Sequence, residues 1–277
     1  YKSRRTHAVP DWVAENTREN AVEAEIVGKG EGIDGAFGGY PFPILHGNNE
    51  EKAWQVIWNH LTRWRGVSVT RRSSEVAVQP DGDYSLVTSQ QEAFFNYYNP
   101  EGSEEELDNV IFYYLSFTQS PPRLAGGAIL IHETLNQIIN PRNGWGYNAG
   151  QRRVRRAPNL GYDSPIAAAD NLRTADDTDI FNGALDRYNW EYEGMREVYV
   201  PYNNYRIGEQ GTPYSAILGI SHLNPDLTRC ELHRVHVVEA PLQDGERHIH
   251  GKRRVYVQSD CWNTLLRAPA DCRGVLP

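Results

Sequence analysis

One stretch, Val110–Thr118, constrains the fold of this chain more than any other, because it is apolar on two sides. It reads VIFYYLSFT. In an extended strand successive side chains point to opposite faces, so Phe112 and Tyr114 lie on one face. Tyr113 and Phe117 lie on the other. We therefore expect a sheet with one face against a helix or a cavity, and a second face that needs cover from another part of the chain or from a partner.

A strong helix pattern precedes the strands. Its apolar residues follow the i, i+3, i+4 and i+7 spacing of one helix face. They are Trp54, Ile57, Trp58 and Leu61. The pattern predicts a helix over Asn49–Arg65, capped by Asn48 or Asn49 and ended by Gly66. This helix should lie across a sheet with its tryptophans directed inward.

Short runs of alternating apolar and polar residues fill much of the chain and are separated by turn sequences such as Pro80–Asp83. The predicted strands are Val67–Arg72, Glu75–Gln79, Tyr84–Thr88, Ala93–Tyr98, Val110–Thr118, Ala128–Glu133, Leu135–Ile139, Gly144–Asn148, Gln151–Ala157, Tyr188–Glu193, Arg196–Pro201, Tyr214–Ile220, Cys230–Glu239 and Arg247–Gln258. Their short connections favour antiparallel pairing. The predicted fold class is mainly β (α+β), a large curved antiparallel sheet or incomplete β-barrel with a helix packed across it.

The first part of the chain is predicted to wrap around this sheet. Residues 1–48 form the predicted N-terminal extension, and residues 49–277 form the open β-barrel. Six glycines crowd residues 28–39, without the strand-then-helix context of a nucleotide-binding loop. We expect an irregular loop that carries an aromatic plug of Phe37, Tyr40 and Phe42. The chain starts without methionine and shows no signal peptide, which is typical of a mature or trimmed product.

Charge and cysteine content exclude some classes of protein. The formal net charge is −8, which argues against a nucleic-acid partner. No run of 18 apolar residues is present, so we expect no membrane-spanning helix. The three cysteines lack the spacing of a zinc site. Either Cys261 and Cys272 form a disulfide and Cys230 stays unpaired, or all three are unlinked.

The histidines and aspartates are weak candidates for a catalytic or metal site. His248 and His250 share a strand face and could bind a metal with a third ligand such as His236, but we interpret them as solvent-facing polar residues. Asp176–Asp179 lacks the spacing of an EF-hand and fits a capped helix start at Thr174 better, with calcium as a minor alternative. We therefore expect no catalytic residue, no metal and no cofactor. A hydrolase that uses the histidine pair and a metal is the least favoured function.

The densest positive run is Arg152–Arg156, with four arginines in five residues. On a strand two of them would point to each face. Our first interpretation pairs them with the Asp-rich segment downstream, residues 158–186. Our second interpretation places some of them against an anionic head group, which guanidinium groups bind in bidentate fashion.

Aromatic residues make up 11% of the chain. Aromatic strand faces usually belong to the core, but an excess of this size indicates that part of it lines a cavity or groove. We expect the concave face of the sheet to hold an apolar ligand. The predicted ligand-binding residues are Trp54, Trp58, Phe112, Tyr114, Trp145, Tyr147, Arg153, Arg155, Trp190, Tyr199 and Tyr202.

The order of several motifs resembles that of a known family. The motifs are Trp145–Asn148, Gly150–Pro158, Asp176–Gly183, Arg187–Trp190, Glu197–Tyr205 and His233–Glu239. They resemble the Gram-negative family called domain of unknown function 1329, which is similar in turn to the outer-membrane lipoprotein-sorting proteins LolA and LolB. The resemblance runs from about Tyr1 to about Val257, and the tail after Gln258 departs from it. It implies an incomplete β-barrel with a helical lid and an apolar cavity, in the periplasm, and it brings no catalytic residues.

These observations favour a non-enzymatic periplasmic carrier or chaperone. Its expected ligand is a lipid, a lipoprotein acyl chain or another hydrophobic molecule in an aromatic-lined barrel cavity. The alternative is a soluble interaction partner of an envelope exporter or outer-membrane channel, with a barrel filled by its own side chains. Expected partners are therefore a hydrophobic small molecule or lipid and an outer-membrane or exporter protein.

Overall fold

The computed structural model describes residues 7–157, 162–166, 169–220, 222–268 and 270–271. Its α-helices are α1 (Asp11–Asn20), α2 (Asn49–Leu61) and α3 (Tyr214–Ile217). Its strands are β1 (Glu25–Val27), β2 (Gly32–Asp34), β3 (Ser68–Val78), β4 (Tyr84–Phe94), β5 (Val110–Ser120), β6 (Ala128–Thr134), β7 (Asn143–Asn148), β8 (Arg153–Ala157), β9 (Glu191–Pro201), β10 (Cys230–Pro241), β11 (His250–Gln258), β12 (Thr264–Arg267) and β13 (Ala270–Asp271).

The long strands form two antiparallel sheets. Strands β3 to β8 lie side by side in sequence order as a six-stranded meander. The second sheet has the order β12-β11-β10-β9, and β13 also pairs with β11. Among the described strands the two sheets stay separate and unclosed, and α2 packs against β9 and β10. The predicted fold class, mainly β with a helix across a large unclosed antiparallel sheet, is confirmed.

Helix α2 begins where the sequence predicts. The side-chain oxygen of Asn48 accepts a hydrogen bond from the backbone N–H of Glu51 at 2.9 Å. In return, the Glu51 carboxylate accepts one from the backbone N–H of Asn48 at 2.8 Å. This capping box satisfies two amide groups at the exposed helix start.

Substitution of Asn48 by alanine is expected to lower the free energy of unfolding by about 1 kcal/mol, because the Glu51 amide loses its acceptor. Asn49→Ala is the matched control, since Asn49 is exposed and surface changes of this kind cost less than about 0.5 kcal/mol. Urea unfolding of the two variants measures the difference. Equal losses would contradict the capping role of Asn48.

Helix α2 ends at Leu61, although the sequence pattern extends the prediction to Arg65. Arg63 and Arg65 both form ion pairs with Asp179, at 3.2 and 2.5 Å. Their backbone leaves the helix to reach this carboxylate. A tertiary charge interaction therefore overrides the continued helix pattern.

Helix α2 is buried on nearly all sides, not along a single stripe. Trp58, Asn59 and His60 have no solvent exposure. The Asn59 side chain accepts from the backbone N–H of Phe42 and donates to its carbonyl oxygen, at 2.9 and 2.7 Å. A ring nitrogen of His60 lies 3.1 Å from the carbonyl oxygen of Trp262. The polar side of α2 is therefore satisfied by the N-terminal segment and by the end of the chain.

The N-terminal segment is more ordered than predicted. Residues 7–48 contain α1 and the β1-β2 hairpin instead of an irregular loop alone. Its predicted aromatic plug does pack in or against the core, through Phe37, Tyr40 and Phe42. Gly30 has a φ of +81°, and a Cβ there would lie 2.9 Å from the Trp54 indole. Only glycine permits this close approach of the segment to α2.

Several strand predictions need correction. The two strands predicted on either side of residues 73–74 merge, because β3 and β4 pair continuously over 11 residues. The pair predicted within residues 188–201 likewise merges into β9. Residues 135–139 are not a strand, since the Asn136 side chain holds a turn by accepting from the amides of Ile138 and Ile139. Asn96–Tyr98 is a 3₁₀-helix, and the strand predicted at Tyr214 is replaced by α3.

Candidate functional site

The six-stranded sheet has one face towards the core and one face that remains partly open. On the core side, Phe112 is buried and Tyr114 packs against the core. The Arg65 guanidinium lies 5.1 Å from the centroid of the Phe112 ring. The opposite side is called here the open face. Its apolar and aromatic residues are Phe94, Tyr113, Leu115, Phe117, Leu130, His132, Trp145, Tyr147 and Val154.

Cross-strand pairing aligns an aromatic stripe on the open face. Phe94 pairs with Tyr113, which pairs with His132. The rings of Phe94 and Tyr113 are stacked with centroids 6.5 Å apart. The His132 ring lies 4.7 Å from Tyr113 on one side and 4.7 Å from Trp145 on the other. The stripe therefore runs without a break from β4 to β7, and such ring contacts stabilise the pairing.

Two further rows widen this apolar surface. Leu115 pairs with Leu130, which pairs with Trp145. Phe117 and Tyr147 belong to the next row and keep 42% and 37% of their surface exposed. Large contiguous apolar surfaces are uncommon on soluble proteins and are often binding sites, so this surface is a candidate site.

The centre of the open face carries no charge at neutral pH. Partial burial lowers the pKa of His132 below its ordinary value, so its ring is neutral there. Charged residues lie towards both edges: Glu92 of β4 pairs with Leu115 and Arg72 of β3 pairs with Gln90, while Arg156 of β8 pairs with Trp145. Four strand spacings, roughly 19 Å, separate β4 from β8. The face is therefore an apolar strip with a basic rim at β8.

The sequence predicts that the arginine run 152–156 pairs with the Asp-rich segment, but the structure does not show this pairing. The run occupies β8, an edge strand of the six-stranded sheet. Arg153 and Arg155 lie on the core-side face and Arg156 on the open face, while Arg152 precedes the strand with a φ of +51°. Among the residues that the structure describes, none of the four forms an ion pair with a carboxylate.

The aspartates pair instead with arginines from the second sheet. Asp176 and Asp177 are buried in the capping-box turn that the sequence predicts. The Arg253 guanidinium lies 2.6 Å from Asp176 and 3.3 Å from Asp177. Burial alone would raise the pKa of Asp177, but the hydrogen bonds from His250 and Arg267 outweigh burial and hold this pKa well below its usual range. The pair therefore stays charged inside the protein.

His248 and His250 are buried, not solvent-facing as predicted. Their Nε2 atoms lie 3.2 and 3.3 Å from the two buried aspartates. His236, the third ligand considered for a metal, is stacked on Trp262 with ring centroids 4.8 Å apart. Within the described ranges, no group of three or more His, Cys, Asp or Glu side chains is arranged to hold a metal ion.

The predicted ligand-binding residues are distributed over several places. Trp145 and Tyr147 lie on the open face. The others are Phe112, Tyr114, Arg153 and Arg155 on the core-side face, Trp54 and Trp58 on α2, Trp190 in the core, and Tyr199 and Tyr202 at the end of β9. The predicted set does not include Phe94, Leu115 and Leu130 of the open face. The second apolar set of the VIFYYLSFT stretch is the sequence signal that points to this face.

The interior beside α2 is filled. A cavity of about 10 Å³ lies between α2 and the six-stranded sheet, and it is lined by Trp58, Leu61 and Phe112 among others. This volume accommodates about one water molecule, whereas ligand pockets measure roughly 300 Å³ or more. At this position the apolar space is occupied by the protein itself. The exposed apolar rows of the open face, and not this cavity, are therefore the candidate site.

Two further sequence expectations concern the cysteines and the membrane. Cys261 is buried and its thiol donates to the Gln258 side chain at 3.1 Å. Cys272 lies outside the described residues, so its pairing with Cys261 stays a prediction. Among the described helices, none has both the length and the apolar character that crossing a bilayer requires.

These features define a class of protein: an unclosed, mainly antiparallel β structure with a buried central helix and an aromatic outer sheet face. The family model described as protein of unknown function (DUF1329) matches residues 1–276. The chain belongs to this family, as its motifs predict.

The chain is similar to several known proteins. It is 45% identical over 276 residues to the uncharacterized protein PA3922 of Pseudomonas aeruginosa, and it covers 60% of that relative's length. Among solved structures, it is similar to a domain described as an outer membrane lipoprotein-sorting protein from Vibrio parahaemolyticus. The TM-score is 0.49 and the sequence identity is 13%, and the match covers 80% of this chain and 73% of that chain. For a DUF1329 family protein from Desulfovibrio piger the TM-score is 0.45, the identity 13%, and the coverage 76% and 68%.

Proposed function

We propose that this chain is a non-enzymatic carrier that binds a lipid, an acyl chain or another hydrophobic molecule on its open face. The observation that carries the proposal is the aligned, partly exposed stripe of Phe94, Tyr113, His132 and Trp145 with the apolar rows beside it. Phe94, Phe117 and Tyr147 keep 38%, 42% and 37% of their surface exposed, so the described part of the chain leaves this face partly uncovered. A hydrophobic ligand would remove them from water.

The free energy of binding depends on the apolar area that the ligand covers. Removal of apolar surface from water contributes about 25 cal/mol per Å². Cover over 200 to 400 Å² of the open face would therefore contribute roughly 5 to 10 kcal/mol, before the entropy lost on association. Such a ligand is held firmly enough to be carried and can still be released.

The double substitution Phe117→Ser and Tyr147→Ser is expected to weaken binding of a fluorescent fatty acid by about tenfold or more, the equivalent of roughly 1.4 kcal/mol. Both side chains belong to one row of the open face, so their loss removes part of the proposed contact area. Fluorescence titration of delipidated protein measures the affinity.

The matched control for that variant is Leu223→Ser with Ile249→Ser. These residues lie outside the open face and are 46% and 49% exposed, close to the exposure of the pair they are compared with. The control should bind as the wild type does. An open-face variant of unchanged affinity would contradict the assignment of the site. Wild-type protein that binds no fatty acid and co-purifies with no lipid in native mass spectrometry would contradict the carrier function.

The small volume of the cavity beside α2 favours a second candidate function. This function is that of a soluble interaction partner of an envelope exporter or outer-membrane channel. In that function the open face contacts a protein. A cysteine introduced by Leu130→Cys would then cross-link to one membrane protein in intact cells, while delipidated protein binds no lipid probe.

We propose the periplasm as the location of the protein. The sequence resemblance to a family of Gram-negative envelope proteins favours this compartment. Osmotic-shock fractionation of cells that express the full-length protein checks the location, and retention in the cytoplasmic fraction would contradict it.

A further inference from the structure

We infer that the ligand of the open face carries an anionic, phosphate-bearing head group, and that the arginines of the β8 edge bind it. This inference rests on the proposed function, because it assigns the polar end of the molecule whose apolar part lies on the open face. The two are nevertheless separable by experiment, since the rim and the apolar rows consist of different residues.

The first observation is that the β8 arginines differ from most arginines of the interior. Arg63, Arg142 and Arg253 each hold a carboxylate of this chain within 3.2 Å. The four arginines of the run 152–156 hold none among the described residues. Carboxylates are not scarce, since the chain has 36 acidic residues against 28 lysines and arginines. Arg155 donates to the side chain of Gln151 at 3.2 Å and Arg156 to that of Asn143, but these amide oxygens are neutral. No described carboxylate therefore compensates the four positive charges of the run.

The second observation is the place of the run in the sheet. Arg156 lies directly beside Trp145, and Val154 lies beside Tyr147, so the basic strand borders the apolar rows. β8 is the last strand of the sheet, and its neighbour Gly146 has open space where a Cβ would stand. Arg153 and Arg155 leave β8 from the opposite face, but β8 is the edge of the sheet and their side chains are exposed, so their long stems can bring the guanidinium groups past the edge to the side of Arg156. A ligand with its acyl chains on the open face would place its head group at this rim.

The third argument concerns the chemistry of the group that fits. Guanidinium groups bind phosphate oxygens through paired, charge-assisted hydrogen bonds, and a phosphate offers several acceptors to neighbouring arginines. The four like charges also repel one another in the free protein, and an anion between them removes that repulsion. A zwitterionic head group also brings a positive charge close to these arginines, so its net electrostatic attraction to them is weaker than that of an anionic head group.

The test compares two lipids that differ only in the head group. Short-chain phosphatidylglycerol and phosphatidylcholine with identical acyl chains are titrated, below their micelle concentrations, into the delipidated full chain. The wild type is expected to bind phosphatidylglycerol at least about fivefold more tightly, which is within the range of exposed charge pairs. The triple variant Arg153→Gln, Arg155→Gln and Arg156→Gln should reduce this ratio below about twofold and leave the affinity for phosphatidylcholine unchanged.

Two further variants control for charge and folding. Arg196→Gln, Arg229→Gln and Arg234→Gln remove the same charge at exposed sites of the second sheet and should keep the preference. The triple lysine variant at 153, 155 and 156 retains the charge and should also keep it. Thermal unfolding should give wild-type midpoints for all of them, because the substituted side chains are exposed.

Each outcome decides a separate point. Equal affinity of the wild type for the two lipids, or a preference that survives the triple glutamine change, would overturn the inference and leave the proposed function standing. Binding of neither lipid would overturn the proposed function and the inference with it. Inorganic phosphate at the lipid concentration should not displace phosphatidylglycerol. Displacement by phosphate would overturn the assignment of a lipid head group.

Discussion

Substitution of Trp58 by alanine is expected to lower the free energy of unfolding by about 4 kcal/mol. The Trp58 indole has no solvent exposure, and its Nε1–H donates to the carbonyl oxygen of Gly30 at 3.0 Å. Alanine leaves a cavity in the centre of the core and deprives a buried carbonyl group of its donor, and the two costs add. Urea unfolding followed by far-ultraviolet circular dichroism measures the change, provided that the m-value stays constant.

Trp54→Ala is the matched control on the same helix, one turn earlier. Trp54 is only partly buried, and its Nε1 donates to no residue that the structure describes. Its loss should cost about 1 to 2 kcal/mol, mainly through the apolar surface no longer buried. Equal losses for the two variants would contradict the central position of Trp58.

The second large effect is expected for Arg253→Gln, a loss of about 3 to 5 kcal/mol at pH 7. Arg253 is buried between the carboxylates of Asp176 and Asp177 and forms an ion pair with each, at 2.6 and 3.3 Å. Arg267, which is less buried, also pairs with Asp177. Glutamine removes the charge and leaves two buried carboxylates undercompensated. The protein is destabilised because buried carboxylates lose a compensating positive charge, and not because the ion pair itself makes a large net contribution to stability.

The pH dependence of this stability loss distinguishes the electrostatic contribution of Arg253 from the contribution of its packing. Burial alone would raise the pKa values of Asp176 and Asp177, but the hydrogen bonds from His248 and His250 and the nearby arginines hold both below the usual range. The unfolded pKa is about 3.9, so the stability from these charges is fully present above that pH and is lost as the pH falls through the folded values. In Arg253→Gln the folded pKa values lie closer to the unfolded one, so the difference from the wild type should shrink as the pH falls below about 4.

Arg254→Gln is the control at the adjacent position. Arg254 is partly exposed and pairs with Glu193 and Glu239, and surface pairs of this kind contribute about 1 kcal/mol or less. A loss in Arg253→Gln that stays constant or grows towards pH 3 would show that packing, not charge, accounts for the effect.

Features of the fold that depend on near neighbours could be predicted from the sequence. The start of α2 is an example, because Asn48 and Glu51 form their capping box within one turn. The two apolar faces of β5 follow from the alternation in Val110–Thr118. The residues that stay open on the second face depend on the register of four further strands, which no local pattern specifies.

Features that depend on distant partners could not be predicted. The alternating pattern of its strand predicts that His250 faces solvent, because polar residues in such patterns usually do. In the structure His250 is buried against Asp177, which lies 73 positions away in sequence. The same reason explains the arginine run, since the aspartates expected to pair with it bind Arg253 and Arg267 instead. The packing around α2 also depends on the buried polar residues Asn59 and His60. A pattern of apolar residues contains no information about these two positions.

The position of His60 has a consequence for how the chain is made. Its ring contacts the backbone of Trp262, which lies 202 positions later. At synthesis rates of 5 to 20 residues per second, the two leave the ribosome roughly 10 to 40 s apart. During most of that interval β9 and β10, the strands of the second sheet against which α2 packs, are not yet complete. Translation that stops before these strands are made therefore yields a chain whose α2 stays exposed to aggregation and proteolysis.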